Sequence, residues 1–280
     1  INLFVDTILA SLLGFGSISY LYFADRIAQL PLGIIGIALG TSLLTSLSKA
    51  NAIKDANQFS KELVLSLKIG LFFSIPAALV FISFSDLLIK VLFERGEFTF
   101  QETIQTSNAL LAYAFGVPAF IMLKSCQPAF LAEGDTKTPM YIGLILLILN
   151  IILSFSLMKF LKHTGIALAT SIVSWLGTII YMTLLIKTGK IAKPNFSFQT
   201  EENFFSFIFY SVKIILISCL MILSMKLAQY LLRINNLNDV FVLIIIFIFG
   251  FFMYILTTKM FKFIPQELDH RISLKFKKAK

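Results

Sequence analysis

The chain is 280 residues long, 58% hydrophobic and 14% charged, with a formal net charge of +9. A soluble domain carries roughly 25% charged residues and could not enclose this much apolar surface in one core, while disorder needs low hydrophobicity and high charge. Unbroken apolar runs, without alternation at every second position, exclude a transmembrane barrel, and the basic residues sit in short loops and the tail, as membrane orientation requires and nucleic-acid binding does not. What remains is an all-α, polytopic helical membrane protein.

Residues 1–13 are apolar apart from Asn2, Asp6, Thr7 and Ser11, and no basic segment precedes them, so they are not a signal peptide. They read as the end of a span, and the chain is expected to be the C-terminal portion of a longer protein. A helix needs about 20 residues to cross ~30 Å of hydrocarbon. Further spans are expected near 17–47, 63–92, 104–132, 139–160, 164–187, 204–232 and 239–263. Pro139 suits the first turn of its helix. Pro31, Pro76, Pro118 and Pro128 lie inside spans, where proline kinks or breaks a helix or is simply tolerated. Gly33, Gly36 and Gly40 place small residues along the second span and favour close helix packing. Cys126 and Cys219 lie inside apolar runs, which argues against a structural disulfide. His163, in a short loop, reads as a solvated interface residue.

The loops 48–62, 133–138 and 188–203 carry Lys49, Lys54, Lys61, Lys137, Lys190 and Lys193, and the tail adds seven basic residues between Lys259 and Lys280. The opposite loops hold Arg95, Lys162 and Arg233. By the positive-inside rule the first set, with the C-terminus, is cytoplasmic.

Charges inside spans are expensive and point to function. Arg26 is always charged and offers a planar fork that suits phosphate. It is a candidate contact for an anionic head group, or else half of a structural ion pair. Asp25 points about 100° away from it on a helix, so the two need not neutralise each other. Lys68, Lys124, Lys213 and Lys226 are expected to snorkel to the interface. Asn150 and Ser154 share a helix face, and Thr170 lies in the next span. With Asp6 they offer oxygen ligands suited to an alkali cation, if they converge, or else interhelical hydrogen bonds. No nucleophile elbow, phosphate loop, zinc spacing or aspartate-rich prenyl-diphosphate motif is present, and an integral membrane enzyme is the least favoured class.

Three runs carry a resemblance: Tyr22-Phe-Ala-Asp-Arg-Ile-Ala-Gln-Leu-Pro-Leu-Gly-Ile-Ile-Gly-Ile-Ala-Leu-Gly-Thr41, Leu92-Phe-Glu-Arg-Gly-Glu-Phe-Thr99 and Gly134-Asp-Thr-Lys-Thr-Pro139. In order and side, they resemble the MurJ/MviN family of lipid II flippases. The resemblance covers essentially the whole chain and weakens after about residue 190. It implies the second lobe of a MATE-like, MOP-superfamily flippase plus two extra C-terminal helices, starting within the family's seventh span. Residues 1–190 would form the transport lobe, 191–263 two helices lining a lipid-tail groove, and 264–280 a basic cytoplasmic tail.

By the same resemblance the activity is translocation of undecaprenyl-diphosphate-linked peptidoglycan precursor across the bacterial inner membrane by alternating access. The partners implied are lipid II, membrane lipids and other cell-wall synthesis proteins, but no nucleic acid. Arg26 matches the family's important arginine and Asp25 its acidic neighbour, as substrate-binding residues. Asp6, Asn150 and Thr170 match a sodium site of some members, the one cofactor implied being Na+. Ser154 stands where that site has an aspartate, and Thr45 where the family usually has proline. The competing readings are a related exporter of another polyprenyl-linked glycan or an organic cation, which would want acidic cavity residues, and a non-transporting scaffold.

Overall fold

A computed structural model describes residues 2–191, 204–234 and 237–261. Most of the loop 188–203, with Lys193, and the tail 264–280, with His270, lie outside the described residues. The chain is helical in the order expected: α1 (Asn2–Ser11), α2 (Ser17–Pro31), a π-helical turn (Leu32–Gly36), α3 (Ile37–Ala52), α4 (Ala56–Phe93), α5 (Phe100–Leu131), α6 (Lys137–Lys187), α7 (Phe204–Ile234) and α8 (Asp239–Met260). Six helical stretches among the described residues are long and apolar enough to cross a membrane. One of them is α6, 51 residues long and broken at Lys162 (φ 52°, ψ −135°), so its arms 137–161 and 163–187 are the two spans read at 139–160 and 164–187.

Local chemistry sets the helix ends. Asp55 caps α4 by accepting the Gln58 N–H at 2.9 Å. Thr99 and Glu102 form a reciprocal capping box on α5, which satisfies donors that a helix start leaves open. Asn238 caps α8 through the Val240 N–H. Gly96 (φ 58°) and Gly134 (φ 78°), the glycines of two of the quoted motifs, occupy left-handed positions that a side chain would strain.

α5 lies at the centre, packed against α2, α3, α4 and α6. Its buried face is rich in small residues, among them Ala109, Ala112, Ala114, Gly116 and Ala119, which let neighbouring backbones approach. Ser171 and Trp175 of α6 donate across to the carbonyls of Ala112 and Phe115. The α7–α8 pair packs on the outside of α4.

Of the two readings of the span prolines, tolerance holds at Pro76, Pro118 and Pro128, where the helices continue, and α4 leaves helical geometry instead at Phe84 (φ −132°, ψ 20°). Pro31 is followed by a turn of wider π-helix, which absorbs the missing N–H without ending the span. His163 is not solvated: it is 4% exposed, its Nε2 lies 3.0 Å from the Gln105 carbonyl, and its ring rests against Tyr20. The sharp reversal at Lys162 folds it inward. Cys126 and Cys219 are both free.

The same reversal brings Gly165 against the first arm of α6, where an added Cβ would stand 2.5 Å from the Leu157 carbonyl oxygen. Backbone cannot yield as a flexible side chain does. Gly165→Val is expected to cost about 1–3 kcal/mol, lowering the thermal midpoint of the purified protein by several degrees. An unchanged midpoint would mean that the two arms part freely at this turn.

Candidate functional site: a polar cavity and an exposed cationic flank

α1, α2, α5 and the second arm of α6 enclose a cavity of about 240 Å³, with Asp6, Asp25, Gln29, Tyr113 and Thr170 on its walls. Asp6 is 9% exposed. The Thr170 hydroxyl lies 3.3 Å from Asp6 Oδ2, and the Asn150 amide donates to Thr170 Oγ1 at 3.1 Å. Thr170 Oγ1 also lies 3.2 Å from the Ile166 carbonyl, and its single proton can serve only one of these acceptors. The structure therefore joins Asp6, Asn150 and Thr170 from three different segments, and Ser154, fully buried, lies one turn from Asn150.

The cluster is short of donors. Asp6 Oδ1, Asn150 Oδ1 and Ser154 Oγ are all buried without a hydrogen-bond partner. A buried polar group left unpaired costs about 1–3 kcal/mol, so two empty acceptors and an unpartnered hydroxyl, which can accept as well as donate, leave a place for positive charge. Uncharged and carboxylate oxygens are the ligands of hard cations, and the residues present fit an alkali ion. Among the described residues there is no cluster of three His, Cys, Asp or Glu side chains of the kind a transition metal takes.

Asp25 and Arg26 part company. Asp25 is half-buried, faces the cavity and accepts from Gln29 Nε2 at 2.5 Å. Arg26 stands outside the cavity on the exposed flank of α2, its guanidinium 4.8 Å above the Tyr22 ring. That flank continues through exposed Thr41, Thr45 and Ser48 of α3. A guanidinium and a row of hydroxyls are tolerated at membrane depth where they line a water-filled space.

The sequence reading missed one residue here. Lys124 of α5, expected to snorkel, is exposed beside this flank, with its stem 3.8 Å from the point where a Cβ on Gly36 would lie and its carbonyl 3.5 Å from that on Gly40. The Gly36–Gly40 spacing was the available signal, since it makes room for a neighbouring side chain. The Lys226 ammonium donates to the Ser83 carbonyl at 2.6 Å. Lys68 and Lys213 lie over the rings of Tyr210 and Phe209. A second cavity, about 350 Å³ and almost wholly apolar, opens between α4, α5, α6 and α7.

Helices long and apolar enough to cross a membrane, a cavity between them that holds two carboxylates, and cations on an exposed flank define a polytopic α-helical membrane protein. The family model for lipid II flippase MurJ matches residues 1–237. A probable lipid II flippase MurJ of Rickettsia prowazekii is 43% identical over 175 residues, covering 62% of this chain and 34% of that protein. One from Buchnera aphidicola subsp. Acyrthosiphon pisum is 35% identical over 252 residues, covering 89% and 47%. The solved structure of a lipid II flippase MurJ in an inward closed conformation superposes with a TM-score of 0.75 at 30% identity, covering 93% of this chain and 50% of that one. A MOP superfamily transporter from Pyrococcus furiosus shares the fold alone, with a TM-score of 0.58 at 18% identity. The chain belongs to the lipid II flippase MurJ family, and it spans between a third and a half of the length of these curated relatives.

Proposed function

We propose that this chain supplies the second lobe and the two final helices of a flippase that moves lipid II across the bacterial inner membrane by alternating access, with its C-terminus cytoplasmic. The observation that carries this reading is the exposed Arg26 on a helix long and apolar enough to cross a membrane, with exposed Thr41, Thr45 and Ser48 farther along the same span and Lys124 of α5 beside that part of it. No bond is made or broken in such a process. The obstacle is a diphosphate, whose burial without partners costs tens of kcal/mol in the Born limit. Arg26 offers that diphosphate a two-pronged, charge-assisted contact. The apolar cavity between the transport lobe and α7 suits the hydrocarbon part of the substrate.

Asp6, Asn150, Ser154 and Thr170 would hold a sodium ion. A bound cation there supplies the positive charge that their unpaired oxygens lack. Thr170 and Asn150 orient the Asp6 carboxylate whether or not the ion is present. Asp25, turned into the same cavity and away from Arg26, leaves the guanidinium free for the substrate.

The test is a depletion-rescue assay in a host stripped of its own lipid II flippase, with the complete reading frame supplied. Restored growth and wall synthesis are expected. Failure of a protein that accumulates normally in the membrane, alongside rescue by a relative, would assign it a different exported lipid or cation.

A further inference from the structure

α4 has two irregular points, and the α7–α8 pair touches both. Proline has no N–H, so Pro76 leaves the carbonyl of Phe72 without its helical partner. The Tyr254 hydroxyl of α8 donates to that carbonyl at 2.5 Å, and the rings of Phe72 and Tyr254 pack 5.1 Å apart. At Phe84 the backbone leaves the helix altogether. There the Lys226 ammonium of α7 donates to the Ser83 carbonyl at 2.6 Å and lies 4.5 Å over the Phe84 ring. Among the described residues, α4 is the element against which α7 and α8 pack.

The outer segment of α4, past this break, leads toward the proposed substrate residue. It ends in Phe93, which lies 4.8 Å from Phe23 of α2, and Phe98 in the following loop lies 5.6 Å from the same ring. Phe23 is three residues before Arg26, hence adjacent to it along the helix surface. A continuous path of packed groups therefore runs from Lys226 through the α4 break and the phenylalanine cluster to the turn that carries Arg26.

We infer that Lys226 is a positioning residue: its bond to Ser83 holds the α4 break in one geometry and thereby sets where α2 presents Arg26. Tyr254 is the fixed half of the brace, because its side chain is buried. Lys226 is the releasable half. It is exposed, and its ammonium sits on a flexible stem. The inference rests on the proposed function for its transport consequence only; the geometry of the brace is independent of it.

The experiment places spin labels at exposed Ser19 on α2 and Tyr230 on α7 in the full-length protein. A Cys219→Ser background is used, since Cys219 is exposed and Cys126 buried. Lys226→Met should shift or broaden the α2–α7 distance distribution. It should also lower turnover of a fluorescent lipid II analogue in proteoliposomes roughly tenfold, the scale of a lost charged hydrogen bond, with binding of the analogue unchanged. Lys226→Arg, which keeps a donor and a charge, should restore both. An unaltered distance distribution in Lys226→Met overturns the inference, whatever turnover does. If the wild type fails to move the analogue, the lipid II reading falls, and the distance measurement still decides the brace.

Discussion

Arg26→Ala abolishes rescue in the depletion assay while the protein accumulates in the membrane at the wild-type level. The two halves of this prediction have separate causes. Loss of function follows from the chemistry of the substrate: charged hydrogen bonds are worth about 1.5–3 kcal/mol, so removing the fork weakens capture of the head group roughly 10–100-fold. Retention of the fold follows from where the side chain sits. Arg26 is exposed, its main contact is the Tyr22 ring, and among the described residues no carboxylate lies within ion-pair distance of it. Substitutions at such positions usually change stability by less than about 0.5 kcal/mol. Arg26→Lys keeps the charge and loses the planar fork, so partial rescue is expected. Growth curves with a quantitative membrane blot read both halves. Wild-type rescue by Arg26→Ala would remove Arg26 from the substrate site, and disappearance of the protein would make it a structural residue.

The spans and their order were legible because each depends on local composition, whereas the meeting of Asp6, Asn150 and Thr170 was not. Apolar runs mark the helices, and the polar exceptions in them (Asp6, Asn150, Thr170) stand out against hydrocarbon. What escaped depends on contacts distant in sequence. Nothing at Phe84 breaks a helix, and Pro76, which should, does not; Tyr254 satisfies the carbonyl that Pro76 strands, while Lys226 engages the carbonyl just before the break at Phe84. Those partners are 143 and 182 residues away. His163 looked solvated because its neighbours in sequence are polar, yet the backbone reversal at Lys162 turns it under α2 onto the Gln105 carbonyl. The separation of Asp25 from Arg26 was half visible. Helical geometry sends the two side chains to different faces, but only the packing of α1, α5 and α6 shows that the face of Asp25 is a cavity shared with Asp6.

That sharing makes Asp6 the most informative residue to change. With sodium at about 100 times its dissociation constant, binding to the folded state alone adds about 2.7 kcal/mol. In a protein of this size that corresponds to roughly 5–10 °C in the thermal midpoint. Wild type should therefore melt several degrees higher in sodium than in potassium, and Asp6→Ala should abolish the difference. The sign of the change in potassium separates a cation site from ordinary interhelical bonding. If Asp6 serves only to accept from Thr170, its removal costs one interhelical hydrogen bond, the Thr170 hydroxyl keeping the Ile166 carbonyl as acceptor, and lowers the midpoint equally in both salts. If the cluster is built for a cation, the ion-free wild type carries an uncompensated buried carboxylate with an empty oxygen, Oδ1, beside two further unpaired oxygens. Its replacement by Asn, which is neutral and can donate, should then raise the potassium midpoint while erasing the response to sodium. A sodium shift that survives Asp6→Ala, or equal midpoints of the wild type in the two salts, would sink the site. A wild-type sodium response that Asp6→Asn erases while raising the potassium midpoint would mean that the unpaired oxygens are held in place at the expense of stability, for an ion whose arrival ties α1 to α6.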